Sequence, residues 1–255
     1  MNTSIQTQLR ETSGYPPAQV TLDNHSRVLI YADGSCLKNG STAAQAGAGV
    51  VLMTEDRRRI KLNAGYLGAL TNQKAEITAC ALGLESLKKP CQVKIFSDSK
   101  YVVETMLGTN RMKSNHEYWE RLIKASLTHK IEWNWVRGHS GNPYQETADR
   151  LSRAAATRKD NLAKETLDQL ARLMHGTPDE DTIQMIHDGL KTLAAACDGA
   201  KKADGLGFNK FDSDLGKRMA AKPILSQSEA VVARNLMAKY RTQIAGFSPE
   251  LALLV

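Results

Sequence analysis

The stretch VLIYADGSC (28–36) decides how the fold is read, because an apolar run of strand type ends directly on an acid followed by small, turn-forming residues. Two further strand candidates follow, AGAGVVLM (46–53) and RRIKLNAGYLG (58–68), and three in succession suggest an antiparallel meander. From about Asn72 to Lys88, apolar residues at Ala75, Ala79, Ala81, Leu82, Leu84 and Leu87 recur at helical spacing, with Pro90 as a stop. QVKIFSD (92–98) then repeats the opening theme of an apolar strand ending on an acid. A short helix from about Ser99, another over about 115–127, the alternating strand IEWNWV (131–136) and a helix over about 143–156 complete the segment. Hairpin-linked strands followed by helix-linked strands imply an α/β fold, a five-stranded mixed sheet with helices packed on it.

Beyond Thr157 only helical patterns remain, so the chain reads as a domain over 27–157, a small all-α accessory domain over 158–255, and a flexible arm over 1–26. Leu162, Leu167, Leu170 and Met174 form one stripe before a stop at Gly176. Thr177-Pro178-Asp179-Glu180 reads as a capping box with Thr177 at the cap, and Ser226-Gln227-Ser228-Glu229 as a second one. The latter opens a helix carrying Val232, Leu236, Met237 and Tyr240; a short helix is expected near 213–220.

At 255 residues with 42% hydrophobic and 24% charged residues, the composition is that of an ordinary globular protein. No run approaches a spanning helix, and the start of the chain has no secretory apolar stretch, so a cytoplasmic protein without membrane partners is expected. Cys36, Cys80, Cys91 and Cys197 lack CxxC spacing, which argues for reduced thiols over zinc or a disulfide framework. Residues 27–157 hold 19 Lys and Arg against 12 Asp and Glu, net +7; residues 158–255 hold 14 against 13, net +1. A basic segment containing acids suits a nuclease, in which cations attract phosphate and carboxylates hold metal. Solubility charge is the bland alternative.

Asp33 and Asp98 each follow a buried strand, at or just past its carboxyl end, where α/β sheets build their sites. If those strands are parallel neighbours, the acids lie side by side, and a divalent cation would relieve their repulsion. Glu76 falls in the first turns of a helix and Asp149 inside the last helix of the segment, so four acids can converge. Taken singly, each is better explained as a structural turn or cap residue than as a catalytic one.

The wording around these acids is more specific. Asp33-Gly34-Ser35-Cys36, Thr71-Asn72-Gln73-Lys74-Ala75-Glu76, Ser97-Asp98-Ser99 and Trp135-Val136-Arg137-Gly138-His139-Ser140-Gly141 followed by Asp149 resemble, in order and spacing, the motifs of type 1 ribonuclease H. The resemblance covers roughly residues 27 to 157. It implies a metal-dependent endonuclease cutting the RNA strand of RNA-DNA hybrids. Asp33, Glu76, Asp98 and Asp149 would hold two Mg2+ ions, or Mn2+ as a substitute, one activating water and one steadying the leaving oxygen. His139 resembles the family histidine that assists proton handling. Asn39, Asn72 and Gln73, with backbone groups near Gly34 and Ser35, resemble the residues that read 2′-hydroxyls in the minor groove, and Thr71 a contact to DNA phosphate.

Two departures stand out. The basic, Trp-rich handle of many members is largely missing, which leaves Lys100, Arg111 and Lys113 as local cations. Gln145 stands where the family often has Asn, and is read as a substrate contact with a longer reach. Trp119, Trp133 and Trp135 are read as core. In the tail, Lys201-Lys202, Lys210, Lys217-Arg218 and Lys222 with Phe208 and Phe211 form a basic, aromatic interval that could bind DNA, while amphipathic helices equally fit a protein partner. Asp204, Asp212 and Asp214 lack the spacing of a calcium loop. Two alternatives remain open: a DNA nuclease or resolvase of the same fold, and a non-catalytic hybrid-binding module.

Overall fold

The computed structural model describes residues 27–197 and 206–255. The arm expected over 1–26, and Lys201, Lys202 and Asp204 of the basic interval, lie outside the described residues. Two compact units divide the chain, one ending at Leu162 and the other beginning at Ala163.

In the first unit, β1 (Arg27–Leu37), β2 (Gln45–Thr54) and β3 (Ile60–Gly68) form the expected antiparallel meander, and β4 (Gln92–Ser97) and β5 (Lys130–Trp135) extend it in parallel. The sheet order is β3-β2-β1-β4-β5, a five-stranded mixed sheet. Helices α1 (Asn72–Glu85), α2 (Lys100–Met106), α3 (His116–Ser126) and α4 (Pro143–Arg158) accompany it. Ile30, Val50, Ile77, Leu84, Ile95 and Trp119 are fully buried together, as the alternation of β1, β2 and β4 and the apolar face of α1 require.

Three glycines set how closely helices approach the central strands. A Cβ at Gly34 would lie 2.2 Å from the backbone of Ala75 and Glu76, so α1 begins in contact with β1 only because residue 34 has no side chain. On β2, a Cβ at Gly47 would lie 2.1 Å from the Ser152 carbonyl and one at Gly49 2.1 Å from that of Ala148. Gly49 is the β-partner of Asp33, so α4 crosses the sheet beside that acid.

The second unit is helical: α5 (Lys164–His175), α6 (Glu180–Ala195), α7 (Ser213–Ala220), α8 (Gln227–Met237), a 3-10 turn (Ala238–Tyr240), α9 (Arg241–Phe247) and α10 (Pro249–Leu254). Leu170, Leu173, Ile186, Leu190, Leu193, Met237, Ile244 and Leu251 are buried in it. The capping box at Ser226 is present as expected. The one expected at Thr177 is not. The Thr177 N–H closes α5 by bonding the Arg172 carbonyl at 2.9 Å, and Asp179 caps α6 instead, its Oδ1 accepting from the Thr182 N–H at 3.0 Å. Of the apolar residues expected on α8, Leu236 and Met237 are buried with Ala230 and Ala233, while Val232 is half exposed. Among the described residues, no helix is long and apolar enough to cross a membrane.

Candidate active site

β1 and β4 are parallel neighbours, with Tyr31 opposite Phe96, and Asp33 and Asp98 each lie two residues beyond that pair. Asp98 falls just past the end of β4, as expected. Asp33 does not end its strand: β1 outruns β4 and stays paired to β2 through Leu37, so Asp33 sits inside β1 at the point where its β4 neighbour stops. The two carboxyls are close enough to hydrogen-bond when one is protonated.

Each acid has a protein partner. Ser152 Oγ on α4 donates to Asp33 Oδ2 at 2.6 Å. Ser99 Oγ donates to Glu76 Oε2 at 2.5 Å, and Asn72 Nδ2 to Glu76 Oε1 at 2.8 Å. Arg153, one turn along α4, donates to Asp149 Oδ1 at 2.7 Å. In the sequence Ser99 stands out only as part of the Ser97-Asp98-Ser99 motif and as the start of a short helix, with no role of its own, and Ser152, three residues from Asp149, does not stand out.

These partners do not balance the charge. Asp33 is only 8% exposed, and burial first, then repulsion from Asp98, Asp149 and Glu76, raise its pKa to about 7 despite the Ser152 bond. Burial also raises Glu76, opposed by the Ser99 bond, and Asp98, where nearby Asp149 adds to the rise. Asp33, Glu76 and Asp98, shifted by burial and by neighbouring acids that include Asp149, form one electrostatic unit. Among the described residues, no three Asp, Glu, His or Cys side chains are drawn together into a ready metal cage. Ser152, Ser99, Asn72 and Arg153 each hold one or more carboxylate oxygens of the group.

The donor chemistry fits a hard divalent cation: oxygen ligands only, from side chains whose mutual repulsion such an ion relieves. Gln145 belongs to the same pocket. It was expected at the substrate surface, but it is 3% exposed, its Nε2 donates to the Ala32 carbonyl at 3.4 Å and approaches Asp98 Oδ1 at 3.5 Å, and its buried Oε1 has no hydrogen-bond partner. The longer side chain at this first turn of α4 folds inward beneath the acids instead of reaching outward.

The remaining candidates surround the acids. Gly138 lies against Asp98, where a Cβ would come within 2.6 Å of Oδ2. His139 follows on an exposed loop with φ +51 and is near enough to stabilise charged Asp98. Asn39 and Asn72 are joined, the Asn39 Oδ1 accepting from the Asn72 N–H at 3.1 Å. Thr71 caps α1, and Gln73 in the first turn is exposed. Gly34 is buried and the Ser35 hydroxyl has no hydrogen-bond partner. Trp119 and Trp133 are core, as expected, but Trp135 is 45% exposed. It shares a strand face with Trp133 yet stands at the carboxyl end of β5, where its Nε1 donates to the Asp98 carbonyl at 3.0 Å and Lys100 Nζ sits 4.8 Å above its ring.

A mixed sheet whose adjacent central strands carry acids, joined by acids from two helices, is the architecture of ribonuclease H-like nucleases. Residues 25–157 match the family model RNase H. Ribonuclease H of Syntrophus aciditrophicus is 38% identical over 159 residues, spanning 57% of this chain and 89% of that protein. Ribonuclease H of Geotalea uraniireducens is 41% identical over 142 residues, 51% and 93% of the two chains. The solved N-terminal RNase H domain of a Mycobacterium tuberculosis protein is 26% identical, with a TM-score of 0.47, over 52% of this chain and 95% of that one. The chain belongs to the ribonuclease H family, and it is an endoribonuclease.

Proposed function

We propose that the chain hydrolyses the RNA strand of RNA-DNA hybrids at the acids Asp33, Glu76, Asp98 and Asp149. The observation that carries this reading is the buried, mutually repelling carboxylate group centred on Asp33, with its pKa raised to about 7. These four residues would hold two Mg2+ ions, or Mn2+ in their place, which when bound supply Lewis acidity for an attacking water and a leaving oxygen. Ser152, Ser99 and Asn72 orient the carboxylates beforehand. Gln145 supports Asp98 from below. His139, on its exposed loop beside Asp98, takes or gives a proton at the edge of the site. Asn39, Asn72 and Gln73, with the backbone at Gly34 and Ser35, face the sugar hydroxyls that distinguish RNA, and Thr71 a DNA phosphate. Free thiols at all four cysteines favour a reducing compartment, and the cytoplasm is the location proposed.

Digestion of matched RNA-DNA, RNA-RNA and DNA-DNA duplexes with Mg2+ tests the reading. Cleavage confined to the RNA of the hybrid is expected, and Asp98→Asn should lower turnover at least about 10³-fold, the scale of a lost metal contribution of several kcal/mol, while keeping its circular dichroism spectrum. Cleavage of DNA duplexes instead would favour a resolvase-like enzyme, and hybrid binding without cleavage a recognition module.

A further inference from the structure

In the second unit, two phenylalanines three residues apart have opposite fates. Phe208 is 1% exposed, packed edge-on against Tyr240 with ring centroids 5.3 Å apart, and α7 leaves room for it at Gly216, where a Cβ would lie 2.4 Å from its ring. Phe211 is 92% exposed. A large aromatic so fully in water is uncommon in a folded unit unless something else covers it.

The turn that displays Phe211 is not loose. Asn209 Oδ1 accepts from the N–H groups of both Phe211 and Asp212 at 2.9 Å. Asp212, itself buried, accepts from the Tyr240 hydroxyl at 2.6 Å, from Lys239 Nζ at 2.9 Å and from Asn209 Nδ2 at 3.0 Å. Tyr240 Oη in turn accepts from the Asn209 N–H at 3.1 Å. Asp212 and Tyr240 are buried and anchor this network, so the backbone that carries the Phe211 ring into solvent is fixed by hydrogen bonds and has little conformational entropy left to lose on binding.

The exposed charge around it is mostly positive. From Lys210 to Lys222 the exposed ionic side chains are Lys210, Lys217, Arg218 and Lys222 against Asp214 alone. Asp214 is engaged by Arg218 and Lys222 by Glu229, whereas Lys210 and Lys217 have no carboxylate partner among the described residues. An exposed aromatic ring on a hydrogen-bonded turn, with Lys210 next to it in sequence and Lys217 on the helix that follows, matches the two repeating features of single-stranded nucleic acid, an open base face and a phosphate. A duplex offers no free base face, and an acidic protein surface would leave the ring in water.

We propose that Phe211 is a stacking platform for nucleobases and that, with Lys210 and Lys217, it forms a contact for single-stranded nucleic acid in the helical unit. The contact sees bases and phosphates, so it takes DNA and RNA alike. It does not depend on the cleavage reading.

Fluorescence anisotropy of labelled single-stranded DNA and RNA oligonucleotides, titrated with the full chain without divalent metal, tests it apart from any cutting. Phe211→Ala should weaken binding of both about tenfold with no change in salt dependence. Phe211→Leu, which keeps the apolar bulk but not the π face, should weaken it similarly, and Phe211→Trp should restore it. Lys210→Gln with Lys217→Gln should reduce the slope of log Kd against log salt by about 1.4, at roughly 0.7 per phosphate contact. Wild-type affinity in Phe211→Ala overturns the proposal. So does wild-type affinity in Phe211→Leu, which would mark an apolar protein-docking residue.

Discussion

Asp33 in the sheet and Asp212 in the helical unit are equally screened from solvent, each 8% exposed, but Asp33 lies deep and Asp212 near the surface of its unit, and their carboxyls are driven in opposite directions. Asp212 is met by Tyr240, Lys239 and Asn209, and its pKa falls below the ordinary carboxylate range. Asp33 is met by one serine hydroxyl and three further acids, and burial with their repulsion lifts it to about 7. A buried acid with a full set of donors fastens a fold. One left among other acids calls for charge from outside, and that difference separates a structural aspartate from a cation site.

Stability against pH should break this comparison if it is wrong. For Asp33 the folded pKa lies above the unfolded one, so the folded chain binds the extra proton between about pH 4 and 7, and its contribution is lost as pH rises through that window. Urea unfolding of the metal-free chain should show a loss on the order of 3 kcal/mol between pH 4 and 8, with excess Mg2+ recovering much of it at pH 8 and little at pH 4. Asp33→Asn should flatten the slope; an unchanged slope in that variant would assign the effect elsewhere.

A smaller effect of opposite sign is expected at Asp212. Its depressed pKa contributes stability that is present above the ordinary carboxylate range and is lost as pH falls below it. Asp212→Asn should cost the helical unit about 1–2 kcal/mol at neutral pH, read by thermal unfolding, and should leave the response to Mg2+ intact. A Mg2+ response altered by that substitution would remove the distinction between the two aspartates.

Much of the first unit was legible because its strands alternate cleanly and its acids sit in distinctive wording. What escaped depended on neighbours distant in sequence. Asp33 reads as a strand end because the apolar run stops there, but pairing with β2 carries the strand on to Leu37. Trp133 and Trp135 have the same periodicity, and only the position of Trp135 at the strand's end leaves it exposed. Gln145 reads as an outward polar residue, yet the first turn of α4 aims it at the Ala32 carbonyl. Pairing of Ser152 with Asp33 joins residues 119 positions apart through the glycines of β2, which no local pattern reveals. In the helical unit, Thr177 fits a capping box locally, but the end of α5 claims its N–H. The short helices α9 and α10 carry too few turns for a periodic signal.

The most direct test is a carboxyl carbon NMR titration that follows Asp33 and Asp212 in the same chain, with and without Mg2+. The account predicts that Asp33 titrates near 7 without metal and moves sharply downward when Mg2+ is added, while Asp212 stays below the ordinary carboxylate range in both. An Asp33 midpoint near 4 without metal, or one indifferent to Mg2+, would contradict it.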